Sequence, residues 1–344
     1  MTKLYIILEQ ALAVVSQNGQ SWKVEIPLAG NVTQCIAVDP LRSESIYCGT
    51  FGHGLWRSRN GGRTFEQVGA GITHKQITAV AVSAKERVGD NGIVYAGTEP
   101  SALFRSEDGG DSWRELETLR QVPSAPTWSF PPRPSTSHVR WITPDPLVEG
   151  RLFTAIEAGA LLRSLDGGEH WEDRKPGGPL DTHTLVMHPL APDRLYSAAG
   201  DGFLHAGNGF MQSDDGGLTW YQPDEGLQHH YLWGAAADPA NPSTIVISAA
   251  PGPQQAHNPA TALSALYRRE GTDPWQLLHD GLPTQRGMLA SAIAVNSAEA
   301  GVFYAANNRG IFRSPDTGHT WEQLPIRWPD SLLGDRPHAL AAVS

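Results

Sequence analysis

Apolar residues in this chain come in short runs of about five to eight, broken by Gly, Pro, Asp and Asn, and no long helical period appears. The runs fall into a repeating order. A strand of small apolar residues comes first, as in Gln76-Ile-Thr-Ala-Val-Ala-Val82 or Ser291-Ala-Ile-Ala-Val295. A turn follows, often carrying Asp-Pro: Asp39-Pro40, Asp145-Pro146 and Asp238-Pro239, with His188-Pro189 as a variant. A second strand reads Ile93-Val-Tyr-Ala-Gly97 or Val302-Phe-Tyr-Ala-Ala306. A third reads Leu55-Trp-Arg-Ser58, Leu103-Phe-Arg-Ser106, Leu161-Leu-Arg-Ser164 or Ile311-Phe-Arg-Ser314. A polar turn and a fourth strand complete each unit. The pattern predicts an all-β chain of four-stranded units, with the small-residue strand of each at a crowded hub.

The polar turn is itself a repeat. Ser106-Glu-Asp-Gly-Gly-Asp-Ser-Trp113, Ser164-Leu-Asp-Gly-Gly-Glu-His-Trp171, Ser213-Asp-Asp-Gly-Gly-Leu-Thr-Trp220 and Ser314-Pro-Asp-Thr-Gly-His-Thr-Trp321 are full copies. Ser58-Arg-Asn-Gly-Gly-Arg-Thr-Phe65 is softer, and the copies ending at Trp22 and Trp275 are degraded. A short Asp or Asn side chain accepts hydrogen bonds from its own turn, and glycine takes positive φ without a steric cost. These turns are Asp-boxes, and on them the chain resembles the Asp-box (BNR-repeat) β-propellers across nearly its whole length. The closing aromatics recur every 43 to 58 residues, a spacing that fits one propeller blade.

The two ends fit together. The chain finishes on Pro337-His-Ala-Leu-Ala-Ala-Val343, a first strand with no unit behind it, and begins with Leu4–Leu8, Ala11–Val15 and Ser21–Ile26, three strands lacking a first. One C-terminal and three N-terminal strands make a seventh blade and remove two exposed edges. The expectation is a seven-bladed β-propeller, residues 1–344, as a single domain.

Composition narrows the partners. A net charge of −10 without any basic stripe argues against nucleic acid. No apolar run is long enough to span a membrane, and Glu9 interrupts the first one, so a soluble, cytoplasmic chain is expected. Cys35 and Cys48 then read as buried thiols rather than a disulfide.

Candidate chemistry is sought where repetition stops. The box Asp residues, and Arg57, Arg105, Arg163 and Arg313 ahead of the boxes, recur and therefore read as structural, as do His170, His188 and His319. Three extensions break the pattern: Glu117–Ser137 with Trp128, Asp201–Phe210 with His205, and Pro251–Pro259 with His257 and Asn258. All are expected on the face opposite the boxes, as walls around a pocket. His138, His183, His230 and His338 sit at or just before first strands, with His229 adjacent. His53, His205 and His257 fall in loops between second and third strands, beside Glu9, Glu99, Glu157 and Asp201, with Arg140, Tyr231, Arg286 and Arg309 in reach. His138, Glu157, His183 and His230, with Arg140, form the expected centre. Trp128, Asp201, His205, Tyr231, His257, Asn258, His53 and His338 are the expected ligand contacts. Imidazoles with carboxylates can act as general acid and base, or hold a divalent transition metal through His138, His183 and His230.

The resemblance is specific for fold and broad for function, since sialidases, sortilin-type receptors, xyloglucanases and photosystem assembly factors all carry such boxes. The sialidase Arg-Ile-Pro motif is absent, and Arg140, Arg286 and Arg336 lack the pattern of an arginine triad. Xyloglucanases set two propellers across a cleft, and this chain supplies one. The expectation is a small polar ligand bound at the channel mouth. The alternatives are a metal-dependent or glycosidase-like enzyme, a hydrolase or lyase, using the His/Glu cluster, and a non-catalytic scaffold for protein partners.

Overall fold

The computed structural model describes residues 2–19, 21–332 and 335–344. Its strands form seven sheets, the blades of a seven-bladed β-propeller. Four-stranded sheets run in chain order from Thr33–Asp39 to Glu66–Val68, Gln76–Val88 to Arg114–Glu115, Tyr231–Asp238 to Gln276–Leu277, and Ala292–Val295 to Glu322–Gln323. The remaining four-stranded sheet joins the ends: Ala339–Val343 pairs antiparallel with Lys3–Ile7, with Leu12–Asn18 and Ser21–Glu25 beyond. No helix among the described residues is long and apolar enough to cross a membrane.

Two sheets depart from the expected four strands. Val139–Pro144, Leu152–Ile156 and Ala160–Ser164 form one, and Thr182–His188, Ala191–Ala199 and Phe210–Ser213 the other. In the first, the segment after the box pairs only through an isolated Arg163–Glu172 bridge, and Pro176 soon follows. In the second, Pro223 lies three residues past the box Trp. Proline has no N–H to continue a ladder, so both outer strands stop short.

By contact density the chain divides into two compact units. One comprises Gly30–Tyr196 with Ser213–Tyr221, the other Met1–Ala29, Ser197–Gln212 and Gln222–Ser344. In the first, Ala79, Ile93, Tyr95, Leu103, Val139, Ile156 and Leu162 pack as one buried cluster. In the second, Leu4, Ile6, Ala13, Val15, Tyr304 and Ile311 form another, with Trp22 and Leu340 against it. Blades buried on both faces explain why second strands read as continuous apolar runs rather than alternating ones. Crowding near the hub is equally direct. A Cβ at Gly97 would lie 2.4 Å from Val139, and one at Gly234 2.5 Å from the Ser291 carbonyl oxygen. Cys35 and Cys48 are free and buried, and burial pushes the Cys35 thiol up to about 12.

The boxes are built as their sequence implies. Asp215 Oδ1 accepts from the Ser213 hydroxyl at 2.8 Å and from Thr219 N at 2.9 Å, while Ser213 Oγ accepts from Gly217 N at 2.9 Å. The hydroxyl and backbone hydrogen bonds from Thr219 hold the Asp215 carboxyl down at about 2. The repeated arginines tie one box to the next. Arg57 donates to Gly109 O at 2.5 Å, Arg163 to Gly216 O at 2.8 Å, and Arg268 to Thr317 O at 2.7 Å. His188 takes the place of the turn Asp: its Nδ1 accepts from Leu190 N at 3.1 Å, as Asp39 Oδ1 does from Leu41 N at 2.9 Å.

Thr317 stands where other boxes carry glycine, and its φ is +59°. The left-handed region costs an L-residue roughly 1–2 kcal/mol, more for a β-branched one. Replacing Thr317 by Gly should therefore stabilise the chain by about 1 kcal/mol and raise the melting temperature by roughly 2 °C. Calorimetry checks this; a lower melting temperature would mean that the Thr317 hydroxyl, bonded to Asp316 O at 2.6 Å, outweighs the strain.

Candidate functional site

The first unit gathers several titratable and charged side chains, buried or half-buried, where first strands begin. His138 directly precedes Val139–Pro144, and His183 is the second residue of Thr182–His188. Glu157 sits in the tight turn joining Leu152–Ile156 to Ala160–Ser164, and its N–H donates to His138 O at 3.2 Å. This backbone bond sets Glu157 beside His138, and the side chains meet: His138 Nε2 lies 2.7 Å from Glu157 Oε2. Arg140 Nε is 3.6 Å from the same oxygen.

The turn carrying Glu157 is strained. Ala158 has φ of +52°, and its N–H donates to Asp181 Oδ1 at 2.8 Å. Gly159 N then donates to Leu180 O at 2.9 Å. A non-glycine residue in the left-handed region is held there by its surroundings, and here two bonds from the next blade hold it. They also bring Asp181 to the cluster, with Asp181 Oδ2 3.7 Å from His183 Nε2. Donor atoms of Glu157, Asp181 and His183 all lie within 4.8 Å of one another.

Glu99 closes the other side. Arg133 grips it with two hydrogen bonds of 2.9 and 2.6 Å, and Thr136 Oγ1 adds a third at 3.2 Å. The second nitrogen of His138, Nδ1, is buried without a hydrogen bond, 3.7 Å from Glu99 Oε2. The imidazole thus stands between two carboxylates. Phe130 meets it edge-on at 4.8 Å, and Trp128 packs beside Gly159, where a Cβ would lie 3.1 Å from the indole.

Electrostatics favour an ionised Glu157. Burial alone would raise its pKa, but the hydrogen bond and charge interaction with His138, then the charges of His183 and Arg140, hold it well below the usual carboxylate range. An ionised carboxylate only accepts, so the proton in the His138–Glu157 bond sits on Nε2. A carboxylate in this state suits the binding of hydroxyls or cations.

Four expected residues, His138, Arg140, Glu157 and His183, are therefore together, with Trp128 nearby. Asp181, Arg133 and Thr136 join them without having been anticipated; the Asp181-Thr-His183 spacing and the arginine within Trp128–Pro134 were the available signals. His53 belongs to the same unit but is exposed and bonds Asn31 at 2.9 Å, away from these contacts.

The other unit holds His230, Asp201, His205, Tyr231, His257, Asn258 and His338. His230 Nδ1 accepts from Gly207 N at 3.4 Å. Asp201 opens the turn that carries the exposed His205, whose N–H donates to Asp201 O at 3.0 Å. His257 has the richest surroundings. Its Nε2 is 2.9 Å from the Tyr231 hydroxyl, its Nδ1 is met by Arg336, and the Trp233 ring lies 4.4 Å away. Since Arg336 can only donate, His257 Nδ1 accepts and Nε2 carries the proton. Asn258 is exposed and caps its own loop through Ala260 N at 3.0 Å. His338 N donates to Ile7 O at 2.8 Å, anchoring the final strand.

No protein-family model matches the chain. Among curated proteins it is 26% identical over 274 residues to the xyloglucanase Xgh74A of Acetivibrio thermocellus, a match covering 72% of this chain and 26% of that protein. The chain thus spans about a quarter of that relative's length. Among solved structures it resembles the GH74 enzyme of Niastella koreensis at a TM-score of 0.69 and 18% identity, covering 93% of this chain and 52% of that one. The GH74 xyloglucanase of Xanthomonas campestris gives 0.66 and 17%, covering 99% and 52%. YCF48 bound to a D1 peptide gives 0.58 and 15%, covering 94% and 85%. At these identities the structural likeness bears on the fold, and the Asp-box propeller superfamily fits without any one member being singled out.

Proposed function

We propose that this propeller binds a short saccharide at the cluster of His138, Arg140, Glu157 and Asp181. The observation that carries the reading is the aromatic-flanked hydrogen bond between His138 and the ionised Glu157, with Phe130 on the imidazole and Trp128 beside the strained turn. Sugar hydroxyls both donate and accept, so a carboxylate beside a guanidinium can engage neighbouring hydroxyls, while aromatic walls cover the C–H faces. The partial likeness to a xyloglucanase supports a β-glucan-type oligosaccharide over other polar ligands. The reading is one of binding: a carboxylate held this far below the usual range cannot donate a proton near neutrality and is a weak base.

Calorimetric titration with xyloglucan and cello-oligosaccharides tests it. Saturable binding should be lost at least tenfold in Glu157→Gln, measured where circular dichroism shows the variant folded. Equal affinity in the two proteins, or no binding by the native chain, would refute the proposal. Assay of new reducing ends in the same samples tells binding from hydrolysis.

A second reading rests on one further observation, the approach of Glu157, Asp181 and His183 donor atoms to within 4.8 Å. One imidazole and two carboxylates form a plausible donor set for a divalent transition metal. Elemental analysis of the purified chain decides it. Close to one equivalent of metal, lost in Asp181→Asn, would favour this reading over a metal-free saccharide site.

A further inference from the structure

The second unit contains a cleft of about 170 Å³ that none of the chemistry above uses. Its apolar wall includes Leu8, Ile326, Trp328 and Leu332, and Arg309 and Asp335 also line it. These two residues carry opposite charges, yet among the described residues neither side chain makes an ion pair or hydrogen bond. Arg309 is exposed and Asp335 half-buried, and closing a surface pair gains little, so both charges stay open to a ligand.

Arg309 is held in place by other means. Its N–H donates to Asn307 Oδ1 at 2.8 Å, and its carbonyl accepts from Gln323 Nε2 at 2.9 Å. The neighbouring Asn308 ties the loop down through Leu289 N at 2.8 Å and Gly287 O at 2.9 Å. The guanidinium lies across Gly287, where a Cβ would fall 2.2 Å from Nη2. The backbone is thus pinned and the charged head rests on a glycine, with its donors left available. Such a head is a ready receptor for a carboxylate, which guanidinium binds through two parallel hydrogen bonds.

We infer that this cleft binds a free amino acid with an apolar side chain, its carboxylate on Arg309, its ammonium on Asp335 and its side chain against Trp328, Ile326 and Leu332. The charges of ligand and cleft are complementary, so the ligand's carboxylate and ammonium each meet an opposite charge on entering. The volume agrees: it is below the roughly 300–1,000 Å³ of sites for drug-sized ligands and suits something smaller. The inference stands on residues of the second unit alone and does not depend on the saccharide reading.

The test is calorimetric titration of the full chain with L-leucine, N-acetyl-L-leucine and L-leucinamide. Leucine should bind, and each blocked form, lacking one charge, should bind at least tenfold more weakly. Asp335→Asn should bring leucine down to the level of N-acetyl-leucine, and Arg309→Gln should bring it down to the level of leucinamide. Both changes leave the apolar core intact, and unchanged circular dichroism establishes folding. No leucine binding by the native chain, or affinity altered less than twofold by both substitutions, would overturn the inference. So would equal binding of leucine and its two blocked forms, which would make the cleft a plain apolar pocket.

Discussion

Removing residues 337–344 should leave the protein largely insoluble, or melting more than 10 °C below the full chain. The deleted segment contains Ala339–Val343, which pairs residue for residue with Lys3–Ile7, from Ile7↔Ala339 to Lys3↔Val343. It also carries the His338 N–H that bonds Ile7 O, and the Ser344 hydroxyl that accepts from Asn296 at 2.6 Å. Each lost backbone bond is worth about 1 kcal/mol net, and the whole stability of a domain is only about 5–15 kcal/mol. Tyr5, Ile6 and Ile7 are now fully buried, and the deletion would expose them along an unpaired strand edge. Such an edge recruits other chains. Ala341→Pro, which removes one donor from the same strand, is the milder companion and should lower the melting temperature without abolishing folding. If both proteins melt with the native chain, the pairing of the two ends contributes nothing to stability.

Glu157→Gln should destabilise the protein by about 3 kcal/mol at neutral pH, the scale for removing one partner from a buried ion pair. The carboxylate is held ionised against the cost of its own burial, so its neutral replacement removes the negative charge that His138 and Arg140 face at 2.7 and 3.6 Å. The pH dependence identifies the cause. A folded-state pKa below the unfolded value means that the stabilisation is complete above the unfolded pKa of about 4.3, and is lost as pH falls through the folded value. The gap between native and variant proteins should therefore be constant from neutrality to about pH 5 and shrink below about pH 4. Urea unfolding across that range measures it. A gap unchanged by acid would assign the effect to packing. The native chain should lose stability in acid for a further reason, because Asp108, Asp166, Asp215 and Asp316 in the boxes are also held below the usual range.

Local chemistry was legible in the sequence, and contact chemistry was not. The box turns, the stand-in role of His188 and the union of the two ends all follow from residues whose duties are fixed by near neighbours or by the count of strands. The three-stranded sheets were missed because four strands were inferred from the boxes, while Pro176 and Pro223 act just beyond them. At the site, His138 and His183 could be placed by their positions at first strands, and Glu157 by its loop between a second and a third strand. The reason they meet is a different matter. It lies in the Ala158 N–H reaching Asp181 and in Arg133 folding back onto Glu99, contacts that join segments 23 and 34 residues apart. No local pattern announces such contacts.

A crystal structure of the chain grown with a xyloglucan oligosaccharide tests the central claim most directly. The result predicted is a sugar ring with hydroxyls on the Glu157 carboxylate and the Arg140 guanidinium, and its apolar face toward Trp128 or Phe130. A saccharide bound elsewhere on the molecule, or a metal ion held by Glu157, Asp181 and His183 with no sugar beside it, would contradict it.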